Sequence, residues 1–157
     1  METNNLKVKW LSYTMANLVL LVFIGIMSLF YFSLKDRIAL KSKLVTFAKS
    51  QTSLSQVLGI DFYNGSQSYY TIKGKDKNQK TIFLTINEKR DKIYSYHPED
   101  GISAKKASQI VQRKEGSKID KVTFGRENHR AIWEVKTKNT FYLIDFESSK
   151  VLKKEVT

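Results

Sequence analysis

Ser103 and Lys106 stand in the string Ser-Ala-Lys-Lys, an S-x-x-K spacing. On a helix this spacing sets a hydroxyl and an amine one turn apart, as serine acyl transferases set their nucleophile and base. That chemistry also uses K-T-G and S-D-N strings, and the sequence contains neither. A chain of 157 residues is also too short for that fold. The same serine stands ahead of "AKKASQIVQRK", in which Ala104, Ala107, Ile110 and Val111 form an apolar helical stripe. Ser103 therefore reads as a helix N-cap. Lys106 takes the position where a capping box would carry Glu or Gln, so the cap is partial.

The remaining candidates are few. His97 precedes Pro98, and His129 lies in the string "GRENHR". Neither belongs to an H-E-x-x-H pattern. Glu127 and His129 are near enough in sequence to touch, but no nucleophile is placed to use them. The 7 glycines are scattered and make no phosphate-binding loop. There is no cysteine, which excludes disulfides, thiolate metal sites and cysteine nucleophiles together. No catalytic residue, metal ligand or cofactor site is expected, and the chain reads as a non-enzyme.

Charge suggests contact instead. Lys and Arg number 27 against 15 Asp and Glu, a formal net charge of +12. An excess of this size points to an anionic partner. Basic and aromatic residues alternate in "SYYTIKGKDKNQK", a pattern that sheet-borne base stacking can use. Tyr70 and Ile72, however, fall on one strand face and read as core. No nucleic-acid partner is expected.

The elements that would carry a contact surface begin with an apolar segment. From Trp10 to Leu34 no residue is charged, and no polar face recurs. A membrane helix needs roughly 20 mostly apolar residues. Trp10 and Tyr13 at one end, with Tyr31 and Phe32 at the other, suit the two interfaces of a bilayer. A signal peptide would have a shorter core and a small-x-small cleavage site, and "SLFYFSLKDR" offers none. An uncleaved single-pass anchor follows. Lys7 and Lys9 precede it, whereas Lys35, Arg37, Lys41 and Lys43 follow it. A count of positive charges alone would put the long segment inside, yet long domains cross largely regardless of charge. The four basic residues after the span are candidate contacts for an anionic leaflet.

Beyond the span, "KDRIALKSKLVTFAKSQ" has helical spacing, as a continuation of the first helix or a separate one packed on a sheet. Four strand-like runs follow: "QVLGIDFY", "SYYTIKG", "KTIFLTIN" and "KIYSYH", stopped by Pro98. After the helix capped by Ser103 come "KIDKVTF", "AIWEVKT", "FYLIDF" and "KVLKKEV". The two series share a plan. An offset of 58 matches Ile86 with Ile144, Asn87 with Asp145, Lys92 with Lys150 and Ile93 with Val151. Upstream, Tyr70 matches Trp133. One small sheet alone would bury too little apolar surface, and two packed together would be steadier.

The strings "GISAKKASQIV", "AIWEV" and "FYLIDFESSKVLK" resemble a PepSY domain. The whole arrangement resembles the YpmB-like or TseB-like family of Gram-positive bacteria, most specifically in "YYTIKGKDKNQKTIFLTI" and "DGISAKKASQIV". The turn Glu147-Ser-Ser-Lys150 departs from the Thr-Gly pair usual in PepSY domains. The resemblance implies an α+β fold: one N-terminal transmembrane helix, then two tandem PepSY-like (cystatin-like) subdomains, each a helix on an antiparallel sheet of about four strands. The expected division is a cytoplasmic tail at 1–9, a span at 10–34, a first subdomain at 35–98 and a second at 99–157. The resemblance also implies a single-pass plasma-membrane protein with its C-terminal domain outside. It implies regulation of cell wall elongation through a penicillin-binding protein or other wall-synthesis protein, with anionic lipid or wall polymer as a further partner. A PepSY-type modulator of an extracellular protease is the alternative. The family supplies no catalytic residue to carry over.

Overall fold

Residues 2–51 form one continuous helix in the computed structural model, which describes the backbone of residues 2–156 and the side chains of Trp10 and of residues 13–156. The chain divides into two compact units, Met1–Ser42 and Lys43–Thr157. Helix α1 (Glu2–Gln51) supplies the described part of the first unit, and its last turns belong to the second.

In the first unit the uncharged stretch is helical throughout, and its described large side chains are exposed on every side. Trp10 is 74% exposed, and even Ile26, the least exposed of the large apolar residues whose side chains are described there, is 46% exposed. Such a surface is not stable in water, because each exposed apolar side chain forgoes ~1.5–3 kcal/mol of burial. Hydrocarbon removes the conflict, since an α-helix satisfies its own backbone hydrogen bonds. Between Tyr13 and Gln51 the helix holds a segment long and apolar enough to cross a membrane. The side chains of Lys7 and Lys9 lie outside the described residues.

Thr52 ends the helix. Its hydroxyl and its N–H both donate to the Ala48 carbonyl, at 2.7 and 3.0 Å, and its Oγ1 accepts from the Leu54 N–H at 3.2 Å. The chain turns there into β1. Residues 35–51 are thus the end of α1 rather than a separate helix. The expectation of one dedicated helix per sheet needs correction: only the second sheet has one. The reason is local, because "KDRIALKSKLVTFAKSQ" contains no proline, glycine or capping signal that would interrupt the helix.

The second unit holds two four-stranded antiparallel meanders. The first comprises β1 (Leu54–Asn64), β2 (Ser68–Asp76), β3 (Thr81–Asn87) and β4 (Ile93–Tyr96), in that order. A single 3₁₀ turn, Pro98–Asp100, leads to α2 (Ala104–Glu115). The second sheet comprises β5 (Ile119–Glu127), β6 (Arg130–Thr137), β7 (Thr140–Asp145) and β8 (Val151–Val156).

The repeat predicted from sequence is a repeat of register. Ile86 pairs with Ile93 across β3 and β4, and Ile144 pairs with Val151 across β7 and β8. One strand back, Tyr70 faces Ile86 and Trp133 faces Ile144. The turns match as well. The Asn87 N–H donates to the Lys92 carbonyl at 3.2 Å, and the Asp145 N–H donates to the Lys150 carbonyl at 2.8 Å. Each turn places a residue in the left-handed region, Arg90 at φ 60° and Ser149 at φ 63°. The side-chain oxygen of Asn87 or Asp145 gathers the turn's N–H groups, a role for which short polar side chains are suited.

Helix α2 buries Ala107 and Val111 against Trp133, Val135, Tyr142 and Ile144. Ser103 caps it, its Oγ accepting from the Lys106 N–H at 3.2 Å, and Gly116 closes it in the left-handed conformation at φ 62°. The segment before the helix is stitched to the sheet. The Ile102 N–H donates to the Phe146 carbonyl, and the Ile102 carbonyl accepts from Trp133 Nε1, both at 2.8 Å.

Candidate interaction surface at the junction of the sheets

The two sheets share one core. Phe83 of β3 stacks on Phe124 of β5 with ring centroids 4.8 Å apart, and both meet Trp133 edge-on. Offset and edge-on pairs of this kind contribute ~0.5–1.5 kcal/mol each beyond their buried area. On the other side of the second sheet, Tyr63 and Tyr69 pack with Ile132 and Leu143. The middle of the second sheet is therefore covered on both faces, which is why Ala131–Trp133 of β6 and Phe141–Ile144 of β7 are unbroken apolar runs.

Polar links fix how the sheets meet. The Thr71 hydroxyl donates to the Phe124 carbonyl at 2.7 Å, fully buried. The Tyr63 hydroxyl donates to Glu127 Oε2 at 2.9 Å, and the Ser66 N–H donates to the same oxygen at 3.1 Å. Lys121 and Asp61 pair at 3.4 Å at the exposed edge. Burial, then the Glu127 hydrogen bond, push the Tyr63 phenol well above its ordinary pKa, so it stays a neutral donor. Gly125 allows this approach: a Cβ there would run into the Tyr63 ring.

A second cluster forms where β4 and β5 end. The Arg126 guanidinium lies over the Tyr94 ring, 3.8 Å from its centroid, and its Nη1 donates to the Tyr96 hydroxyl. Burial raises the Tyr96 pKa despite the nearby guanidinium, so Tyr96 is also neutral. The β5–β6 turn places Asn128 at φ 47° and His129 at φ 67°, the two consecutive left-handed residues of a tight hairpin turn. The clefts of this region are lined by residues of the 64–68, 87–92, 127–130 and 145–150 turns.

The residues singled out from sequence fall as follows. Ser103 is a cap, not a nucleophile. His97 holds the 3₁₀ turn, its N–H donating to Asp100 Oδ2 at 2.9 Å. His129 is exposed in its turn, and Glu127 bonds to Tyr63 and Ser66 rather than to His129. Lys35, Arg37, Lys41 and Lys43 are all exposed on α1, and none is in an ion pair among the described residues. At ~100° per residue they point to different sides of the helix, not one stripe. Among the described residues no group of three or more His, Cys, Asp or Glu could hold a metal ion. The Tyr63–Glu127 and Arg126–Tyr96 links escaped sequence reasoning. Gly125 lies just past the strand run "KIDKVTF" in sequence but inside β5 in the structure, where a glycine marks a close approach.

Comparison with known proteins gives a consistent result. The family model described as "Cell wall elongation regulator TseB-like domain" matches residues 45–87. The chain is 32% identical over 114 residues to the "Probable cell wall elongation regulator TseB" of Bacillus subtilis (strain 168), covering 68% of this chain and 70% of that protein. The solved structure of the YpmB protein from Bacillus subtilis superposes with a TM-score of 0.66 at 30% identity, covering 74% of this chain and 96% of that one.

Proposed function

The chain belongs to the TseB-like family of cell wall elongation regulators, and on that premise we propose that it regulates wall elongation by binding a penicillin-binding protein outside the membrane. Family membership and the apolar N-terminal helix make it a single-pass, membrane-associated, regulator-like protein. The proposed division has a cytoplasmic tail at 1–9, the span at 10–34, and two PepSY-like subdomains at 35–98 and 99–157. The tail lies inside and the sheets outside.

The observation that carries the contact reading is the junction. Two sheets joined through Thr71, Tyr63, Phe83 and Phe124 pack as one compact unit rather than two loosely linked ones. A rigid surface loses little conformational entropy when it docks. Tethering adds effective concentration, so a modest intrinsic affinity suffices. Lys35, Arg37, Lys41 and Lys43 would hold the body near an anionic leaflet or wall polymer, at ~1 kcal/mol per basic residue near the surface.

The test is crosslinking in intact cells, followed by purification of the full chain from membranes. Recovery of a penicillin-binding protein supports the proposal. Recovery of a protease, with altered protease activity, would replace it with the protease-modulator reading. Changing the four basic residues to Gln should weaken recovery and flatten its dependence on salt.

A further inference from the structure

Arg126 is a half-buried cation without an anion. Its guanidinium is held flat on Tyr94 and anchored through Nη1 to Tyr96. Its Nε–H is buried and meets no acceptor among the described residues. No carboxylate among the described residues lies within ion-pair distance of it. Charges withdrawn from water in folded proteins are as a rule paired, because an aromatic face and one hydroxyl do not replace the lost hydration.

Arg126 lines a cleft of about 450 Å³ whose walls also carry Arg130, Lys150, Asp145 and Glu147. Arg130 is 65% exposed and only 3.9 Å from Asp145 Oδ2, too far for a hydrogen bond. Asp145 is committed to its own turn, since its Oδ1 accepts from the N–H and the hydroxyl of Ser148, each at 2.7 Å. Lys150 is exposed and has no ion pair among the described residues. Three cations thus line one cleft while the nearer of its two carboxylates is already engaged.

We propose that this cleft receives a carboxylate, presented by an acidic side chain of a partner protein. A guanidinium lying flat on a ring directs its remaining donors along its own plane, which suits a planar monoanion. Asp145 and Glu147 on the walls disfavour the higher charge of a phosphate group. The proposal rests on the reading that the chain acts by protein contact, and it names the chemistry of that contact.

The full chain, labelled with ¹⁵N-arginine and held in nanodiscs, is titrated with the peptide acetyl-Ala-Glu-Ala-amide. The Gln peptide and inorganic phosphate are run in parallel at matched ionic strength. The Glu peptide should shift the Arg126 Nε–H resonance saturably, the Gln peptide should not, and phosphate should bind more weakly. R130Q and K150Q, at exposed positions that leave the Tyr94–Arg126 stack intact, should each weaken the Glu peptide by roughly two- to five-fold. Equal response to Glu and Gln peptides, or no saturable shift, overturns the proposal. Tighter binding of phosphate also overturns it, in favour of a phosphate-bearing ligand. Recovery of a penicillin-binding protein undiminished by R130Q/K150Q would overturn the cleft and leave the partner reading standing. Failure to recover that partner with the unaltered chain, alongside a normal peptide titration, would do the reverse.

Discussion

The Tyr63 hydroxyl sits 2.9 Å from Glu127 Oε2, joining the end of β1 to the end of β5 across 64 residues of sequence. The link is one of those that make one body of the two repeats. Tyr63→Phe should destabilise the second unit by about 1.5–3 kcal/mol, the range for a hydrogen bond to a charged group. Glu127→Gln should cost a similar amount, and the double variant should cost less than the sum. Urea unfolding of the four proteins measures the coupling. Strict additivity would mean that the two residues do not act together.

Gly125 gives a steric test of the same junction. Gly125→Ala drives a methyl into the Tyr63 ring and should cost about 1–3 kcal/mol. Gly59→Ala is the control, because a Cβ there meets nothing within 4 Å. Thermal unfolding should separate the two variants clearly, and equal stability would contradict the packing described.

The same junction marks the limit of what the sequence discloses. The strands were legible because "KTIFLTIN" and "FYLIDF" alternate or run apolar between turn signals, and the register repeat was legible because Ile-Asn and Ile-Asp open equivalent turns. The way the sheets meet was not legible. Thr71, Tyr63 and Arg126 act on partners more than 25 residues away, and nothing in local periodicity encodes such a pairing. The separate helix for the first sheet failed for the opposite reason. It came with the tandem plan that the resemblance implies, while the helical spacing after the span also allowed a continuation of the first helix, which is what the chain forms.

Asp145 sets a dependence on acid. Burial raises its pKa, but the Ser148 hydroxyl and N–H, then Arg130, outweigh burial and bring it below the ordinary carboxylate value. A carboxylate with a lowered folded-state pKa contributes stability that is present above the unfolded value of about 3.9 and lost as pH falls through the folded value. Asp145→Ala should therefore cost about 1–2 kcal/mol at pH 7, and the gap should narrow below about pH 4. Denaturant midpoints at pH 7, 5 and 3 measure it. A gap independent of pH would assign the effect to the turn backbone and not to the charge.

Ser103 separates a cap from a nucleophile. Ser103→Ala should lower stability by about 1 kcal/mol and leave partner recovery unchanged. A serine-directed acylating probe should leave Ser103 unmodified in the full chain. Covalent labelling there, lost in the alanine variant, would contradict the non-enzymatic reading.

The most direct measurement is protease access to the second unit in living membranes. Trypsin is added to wall-stripped, intact cells carrying the full chain, with antibodies against residues 43–157 and against a cytoplasmic control. With the lysine-rich sheets on the outer side of the membrane, as proposed, the epitope should disappear while the control survives. Protection of residues 43–157 until the membrane is lysed would put the sheets on the inner side and contradict the proposal.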